Sequence, residues 1–330
     1  MKKPIQVLLS ALLCTAFAQS AFAVDKIALV VKSLGNGFFD AANQGAQDAA
    51  KELKNVEIIY TGPAKATAEG QIEIINSLIA QNVQAIVISA NDPDALVPVL
   101  KKAMQRGIKV ISFDSGVKAE GRLMHLNPSS SALIGEKLVK MTQEAIGAKG
   151  EIAVLSATAQ ATNQNIWIDE MKKVLAKSEY SGLKLVSVVY GDDQTDKSYR
   201  EAQGLFKSYP NLKAIVAPTT VGIAAAAKAV QDDKKVGSLF VTGLGLPSEM
   251  AGHVKSGAVK SFAIWNPIDL GYSSVMAASQ FISGKVKGVA GEKVSLGRVG
   301  TVTLDANTEA AMSEPFTYDA TNVEKFAKFF

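Results

Sequence analysis

The chain has 330 residues, 48% hydrophobic and 20% charged, with a formal charge of +4 and a single cysteine, Cys14. These are ordinary globular values, and they exclude a disulfide scaffold and a cysteine-based metal centre. The charge is too small to argue for a nucleic-acid partner.

The N-terminus carries its own signal. Lys2 and Lys3 precede an apolar run over 7–17, and Ala21-Phe22-Ala23 closes it with small residues. That is the layout of a secretory signal peptide over residues 1–23, cleaved after Ala23. The run is shorter than the roughly 20 residues needed to span a bilayer, and Leu13 stands where a lipoprotein site at Cys14 wants a small residue. Cleavage leaves 307 residues, no cysteine, and a formal charge of +2 once Lys2 and Lys3 are gone. The mature chain is therefore expected outside the cytoplasm, with a length that suits two domains of about 100–200 residues each.

From Lys26 one pattern repeats: a short Val/Ile/Leu run, a polar or glycine-containing turn, then an amphipathic stretch. The runs predict strands over 27–31, 57–60, 85–89, 110–113, 152–155, 185–189, 214–216, 239–242 and 261–264. Their continuous apolar character fits sheets covered on both faces. Between them, 66–80 aligns Ile72, Ile75 and Ile79 on one helical face. Asp92-Pro93 predicts another helix, with Asp as N-cap and Pro at the first helical position.

This βαβα order implies an α/β protein of two similar lobes, each a mainly parallel sheet flanked by helices. No proline-rich or low-complexity tether separates the halves, so a hinge of several crossings is expected. The lobes are assigned to 24–127 plus 263–290 and to 128–262 plus 291–330.

Parallel sheets of this kind bind ligands at the carboxyl ends of their strands, which makes the polar residues of those loops the site candidates. Lys32, Asn91, Asp92, Asp114, Asn163, Gln164, Asn266 and Asp269 offer hydrogen-bonding groups, and Phe38, Phe39, Trp167 and Trp265 offer aromatic faces. Together these suit a neutral sugar, whose hydroxyls both donate and accept and whose C–H face is apolar. Lys32 and Asp114 stand out, because an ionisable group just past an apolar strand is costly unless paired or used, and the two could pair with each other. Several candidates also have structural readings. One of Phe38 and Phe39 suits a core anchor, Trp167 suits the second lobe's core, and Asp92 and Asp269 suit helix caps.

Catalytic signals are weak. The chain has no G-x-S-x-G elbow, H-E-x-x-H pair or phosphate-cradling loop. His125 and His253 lack an obvious partner in sequence, and Gly243-Leu244-Gly245 lacks the third glycine of a dinucleotide fingerprint. The run Asp192-Asp193-Gln194-Thr195-Asp196 lacks the glycine and terminal glutamate of a calcium loop and reads as a solvated turn. No metal or cofactor is implied, and an enzyme remains only the remote alternative of a secreted sugar-modifying protein.

Four segments carry a resemblance along the mature chain: Lys32-Ser33-Leu34-Gly35-Asn36-Gly37-Phe38-Phe39-Asp40, Ser89-Ala90-Asn91-Asp92-Pro93-Asp94, Asn163-Gln164-Asn165-Ile166-Trp167 and Trp265-Asn266-Pro267-Ile268-Asp269. They resemble the sugar-binding proteins of bacterial ABC importers with the ribose-binding type of fold, most closely the rhamnose-binding branch. The resemblance implies the type I periplasmic binding fold, a periplasmic location, a monomer, a monosaccharide ligand and an inner-membrane ABC permease as partner. A sister branch binds autoinducer-2 (AI-2) through a lysine, two aspartates, a glutamine, a proline carbonyl and an alanine. By resemblance these fall on Lys32, Asp114, Gln164 and Pro218, while Asn163 replaces the second aspartate and Thr220 the alanine. Both departures favour a hydroxyl-rich hexose or deoxyhexose, L-rhamnose above all, over AI-2.

Overall fold

The computed structural model describes residues 24–330, so the signal-peptide segment lies outside the described residues. The strands are β1 (Asp25–Val30), β2 (Val56–Thr61), β3 (Ala85–Ile88), β4 (Lys109–Phe113), β5 (Met124–Asn127), β6 (Gly150–Ser156), β7 (Leu183–Tyr190), β8 (Leu212–Ala217), β9 (Phe240–Gly243), β10 (Ser261–Ile264), β11 (Lys293–Ser295), β12 (Thr301–Thr303), β13 (Glu309–Ala311) and β14 (Phe316–Asp319). The helices are α1 (Gly37–Leu53), α2 (Ala68–Ala80), α3 (Val97–Gln105), α4 (Ser131–Ile146), α5 (Thr162–Leu175), α6 (Thr195–Ser208), α7 (Thr220–Asp232), α8 (Pro247–Lys255), α9 (Pro267–Ile282) and α10 (Val323–Phe326).

Two sheets organise the chain. The first is all parallel in the order β2-β1-β3-β4-β5-β13, and the second runs β7-β6-β8-β9. Isolated parallel bridges, including Leu244 to Ala263, carry the second sheet on to β10, which pairs antiparallel with β14. Both halves therefore use the doubly wound strand order 2-1-3-4-5, with a cleft expected where the carboxyl ends of the strands meet. The central strands are fully buried: Ile27, Leu29, Ile86, Ile111, Val154 and Ile215 are all 0% exposed. That is why their sequence is continuously apolar rather than alternating.

The chain crosses between the halves three times, at 127–131, 264–267 and 311–316. The C-terminal assignment needs correction. Residues 291–311, expected in the second lobe, lie in the first: β13 runs parallel to β5 at the edge of the first sheet, and β11 packs on α9. Residues 263–264, given to the first lobe, belong to β10 in the second. The second crossing thus sits at Trp265-Asn266.

Local signals explain most helix starts. Asn36 caps α1 by accepting from the Phe38 amide, and Thr67 caps α2 through the Gly70 amide. The predicted start at Asp92-Pro93 is displaced, since α3 begins at Val97 with Leu96 as its N-cap. Asp92 instead closes a turn, its Oδ1 accepting from the Asp94 and Ala95 amides at 2.8 Å each.

Candidate functional site

The carboxyl ends of the two sheets face each other across a cleft whose empty volume, mouth included, is about 380 Å³. Lys32 follows β1 and Asp114 follows β4 on one side. On the other, Asn163, Gln164 and Trp167 lie on the first turns of α5. Pro218, Thr219 and Thr220 follow β8, and Trp265 follows β10. Phe38 and Phe39, in the first turn of α1, complete the wall. Ten of the candidates thus converge: Lys32, Phe38, Phe39, Asp114, Asn163, Gln164, Trp167, Pro218, Thr220 and Trp265.

Lys32 and Asp114 do not pair directly; Asn163 stands between them. The Lys32 Nζ donates to Asn163 Oδ1 at 3.0 Å, and Asn163 Nδ2 donates to Asp114 Oδ1 at 2.9 Å. Asn163 Oδ1 also accepts from the Gln164 amide at 2.9 Å, while Ser89 Oγ donates to Asp114 Oδ2 at 2.7 Å. The Gln164 side chain is fixed through its Oε1, which accepts from Ser156 Oγ at 2.8 Å and the Ala157 amide at 2.7 Å. Burial pushes the Asp114 carboxyl above its usual range, against the pull of the Lys32 charge and the hydrogen bonds from Ser89 and Asn163. A second tie crosses the lobes where Thr162 Oγ1 donates to the Gly116 carbonyl at 3.1 Å.

The aromatic residues form one edge-to-face chain. Phe38 lies 5.2 Å from Phe39 and 6.2 Å from Trp265, and Trp265 lies 5.6 Å from Trp167, centroid to centroid. These rings serve as core and wall together: Phe38, Trp167 and Trp265 are 6%, 3% and 3% exposed. The Trp265 indole N–H has no hydrogen-bond partner among the described residues.

Four candidates do not line the cleft. Asn91 is buried behind it, where its Nδ2 donates to the Lys32 carbonyl at 2.9 Å and the Thr67 carbonyl at 3.1 Å, fastening the loop that carries Lys32. Asp92 closes the turn before α3. Asn266 caps α9, accepting from the Ile268 and Asp269 amides. Asp269 accepts from Asn266 Nδ2 at 2.8 Å and pairs with Arg298 at 3.1 Å. Each lies beside the site in sequence, but its side chain is spent on local structure.

Asn36, Thr219 and Leu244, from the strand-end loops expected to hold the site, also line the cleft, together with Ile264 and, most consequentially, Asp193, which those loops did not include. Asp193 sits in the run read as a solvated turn. That loop follows β7, and position after a parallel strand was the signal available. Burial raises the Asp193 carboxyl above its usual range, against the charge of Lys32 and a hydrogen bond from Thr219. Among the described residues, no cluster of three or more His, Cys, Asp or Glu could hold a metal ion, and no helix is long and apolar enough to cross a membrane.

A hinged pair of doubly wound lobes enclosing a polar cleft with an aromatic wall defines a two-lobed binding protein, and sequence comparison agrees. The periplasmic binding protein domain matches residues 27–286, and the chain belongs to that family. A D-ribose/D-allose-binding protein of Pseudomonas aeruginosa is 30% identical over 232 residues, 66% of this chain and 70% of that protein. An ABC transporter solute-binding protein from Clostridium phytofermentas, solved with bound L-rhamnose, is 37% identical with a TM-score of 0.90 over 93% of this chain and 99% of its own. LsrB from Clostridium saccharobutylicum, solved with AI-2, shares the fold at a TM-score of 0.86 and 22% identity, over 91% and 99% of the two chains.

Proposed function

We propose that this protein is the sugar-binding component of an ABC importer and that its ligand is L-rhamnose. It works in the periplasm as a monomer, after removal of residues 1–23, and hands the sugar to an inner-membrane permease. It breaks no bond. The carrying observation is the Lys32–Asn163–Asp114 chain, which joins the two lobes inside the cleft through groups suited to hydroxyls. The rhamnose-bound relative at 37% identity supports the particular sugar, and the unpartnered Trp265 N–H offers one more donor at the wall.

The mechanism is a hinge equilibrium over the three crossings. Contacts from both lobes to one sugar exist only when the cleft is shut, so the ligand shifts the population toward closure. A sugar of about 11 heavy atoms at ~0.7 kcal/mol per atom gains about 8 kcal/mol, roughly micromolar affinity.

A thermal-shift screen of the mature chain against L-rhamnose, common monosaccharides and AI-2 tests the reading, since a ligand bound only by the folded state raises Tm. A shift with L-rhamnose is expected. A shift with AI-2 alone would overturn the sugar assignment, and silence with every ligand would overturn capture of these molecules.

A further inference from the structure

Building on that reading, we infer that Asp193 is the second ligand-binding carboxylate of the cleft, replacing the one that position 163 lacks. The resemblance to AI-2-binding proteins puts two aspartates in the pocket, and Asn163 removes one of them. The cleft nevertheless contains two carboxylates, because Asp193 enters from the loop after β7. One then comes from each lobe, Asp114 from the first and Asp193 from the second.

The loop that carries Asp193 is built rather than solvated. The Gly191 amide donates to the Ser156 carbonyl at 2.9 Å and the Asp192 amide to the Ala157 carbonyl at 3.0 Å. These tie the loop to the same end of β6 that fixes the Gln164 side chain. Lys197 pairs with Asp192 on the outer side of the loop at 2.5 Å, while Asp193 lines the cleft. Asp193 has φ of 50° and Asp114 has φ of 57°, so both cleft carboxylates occupy the left-handed region that L-residues other than Asn and Asp avoid.

Thr219 fixes one oxygen. Its hydroxyl donates to Asp193 Oδ1, while Oδ2 has no hydrogen bond from any described residue. A carboxylate held by one oxygen with the other free is oriented to accept from a ligand hydroxyl. Among the described residues of the cleft wall, the ionisable ones are Lys32, Asp114 and Asp193. One cation against two carboxylates disfavours an acidic sugar and suits a neutral ligand with hydroxyls on two sides. Asp193 is thus a specificity-determining residue, acting from the lobe opposite Asp114.

Calorimetric titration of the wild type, Asp193→Asn and Asp192→Asn with L-rhamnose and its 1-, 2-, 3- and 4-deoxy analogues tests this. Asp193→Asn should weaken L-rhamnose at least about tenfold, the scale of one charge-assisted hydrogen bond. It should cost no more than about twofold against the one analogue lacking the hydroxyl that Asp193 accepts. Asp192→Asn, outside the cleft, should stay within about twofold of wild type. The assignment is overturned if Asp193→Asn binds L-rhamnose like wild type, weakens every analogue by the same factor, or is matched by Asp192→Asn. Wild type that ignores L-rhamnose but binds another sugar overturns the rhamnose reading alone, and the same comparison on that sugar then decides the role of Asp193.

Discussion

Asn163 uses both ends of its amide across the lobe boundary, accepting from Lys32 at 3.0 Å and donating to Asp114 at 2.9 Å. A carboxylate at this position could keep the first bond but not the second, because it has no N–H to give. The amide therefore lets the lobes meet over Asp114 without setting a second carboxylate against it.

Asn163→Asp should open the unliganded protein. It sets two carboxylates at hydrogen-bond distance, a repulsion on the order of 4 kcal/mol at an effective dielectric of about 20, partly offset by Lys32. Small-angle scattering should record a larger radius of gyration without ligand, and sugar affinity at pH 7 should fall at least about tenfold. Lowering the pH should recover part of it as one of the pair takes a proton. An unchanged radius and affinity would mean that the amide bridge does not govern closure.

Asp114→Ala should also lower affinity at least about tenfold by removing a charge-assisted acceptor, at some cost in stability because Ala is strained at a φ of 57°. In the wild type the carboxyl is raised by burial, so it begins to protonate at a higher pH than an exposed aspartate. Affinity should fall as pH drops through that raised value, because a protonated carboxyl loses acceptor capacity. Stability of the unliganded protein moves the other way. The folded state holds this proton more tightly than the unfolded state, so Asp114 favours folding as the pH falls toward its ordinary value near 3.8. Titrations at descending pH should show the decline in binding and its reduction in Asp114→Ala; equal slopes would remove Asp114 from the linkage.

The strands of the two sheets were legible because burial on both faces leaves a continuous apolar run, as in Ile27–Val31 and Ala214–Val216. β5 was not, since Met124-His125-Leu126-Asn127 carries two polar residues whose partners, Ser112 and Glu309, are remote in sequence. The three-residue strands after 290 escaped for a related reason: β13 is specified by its pairing with β5 more than by its own residues. In the cleft, Lys32 and Asp114 could be read as charges following apolar strands. Asp193 carried the same signal after the strand over 185–189, but three aspartates within five residues look solvated until the loop's ties to β6 are known. Asn266 and Asp269 were over-read for the opposite reason, since an Asn before Pro reads equally as cap and as ligand group.

Gly45→Ala should destabilise the protein by at least about 2 kcal/mol, the overpacking range for a position that cannot relax. A Cβ at Gly45 on α1 would lie 1.7 Å from the Ile268 carbonyl oxygen and 2.9 Å from the Tyr272 amide nitrogen on α9. Both neighbours are backbone, so the helices would have to separate, moving the end of α1 that carries Phe38 and Phe39. Gly204→Ala is the control: it lies in α6 with nothing within 4 Å of an added Cβ, and should gain about 0.5–1 kcal/mol through helix propensity. Denaturant unfolding separates the two. Equal effects would show that the crossing of α1 and α9 yields easily.

His125 should make the protein acid-labile well above the carboxylate range. Its ring lies between Ser112 Oγ at 2.9 Å and Asn127 Oδ1 at 3.1 Å. The Asn127 amide is committed to Glu309 Oε2 at 3.1 Å, so the Nε2 side of the ring donates to the Asn127 oxygen and Nδ1 accepts from Ser112. Burial, and then the nearby Arg122 charge, push its pKa down to about 3 from 6.5. The unfolded chain therefore binds a proton below about 6.5 that the native state refuses. The stability this confers is complete above 6.5 and is lost as the pH falls toward 3. His125→Gln should be less stable at pH 7, by about 1–3 kcal/mol for the disturbed hydrogen bonds, yet lose stability less steeply between pH 6.5 and pH 4. Parallel slopes for the two proteins in urea unfolding across that interval would show that His125 does not set the acid response.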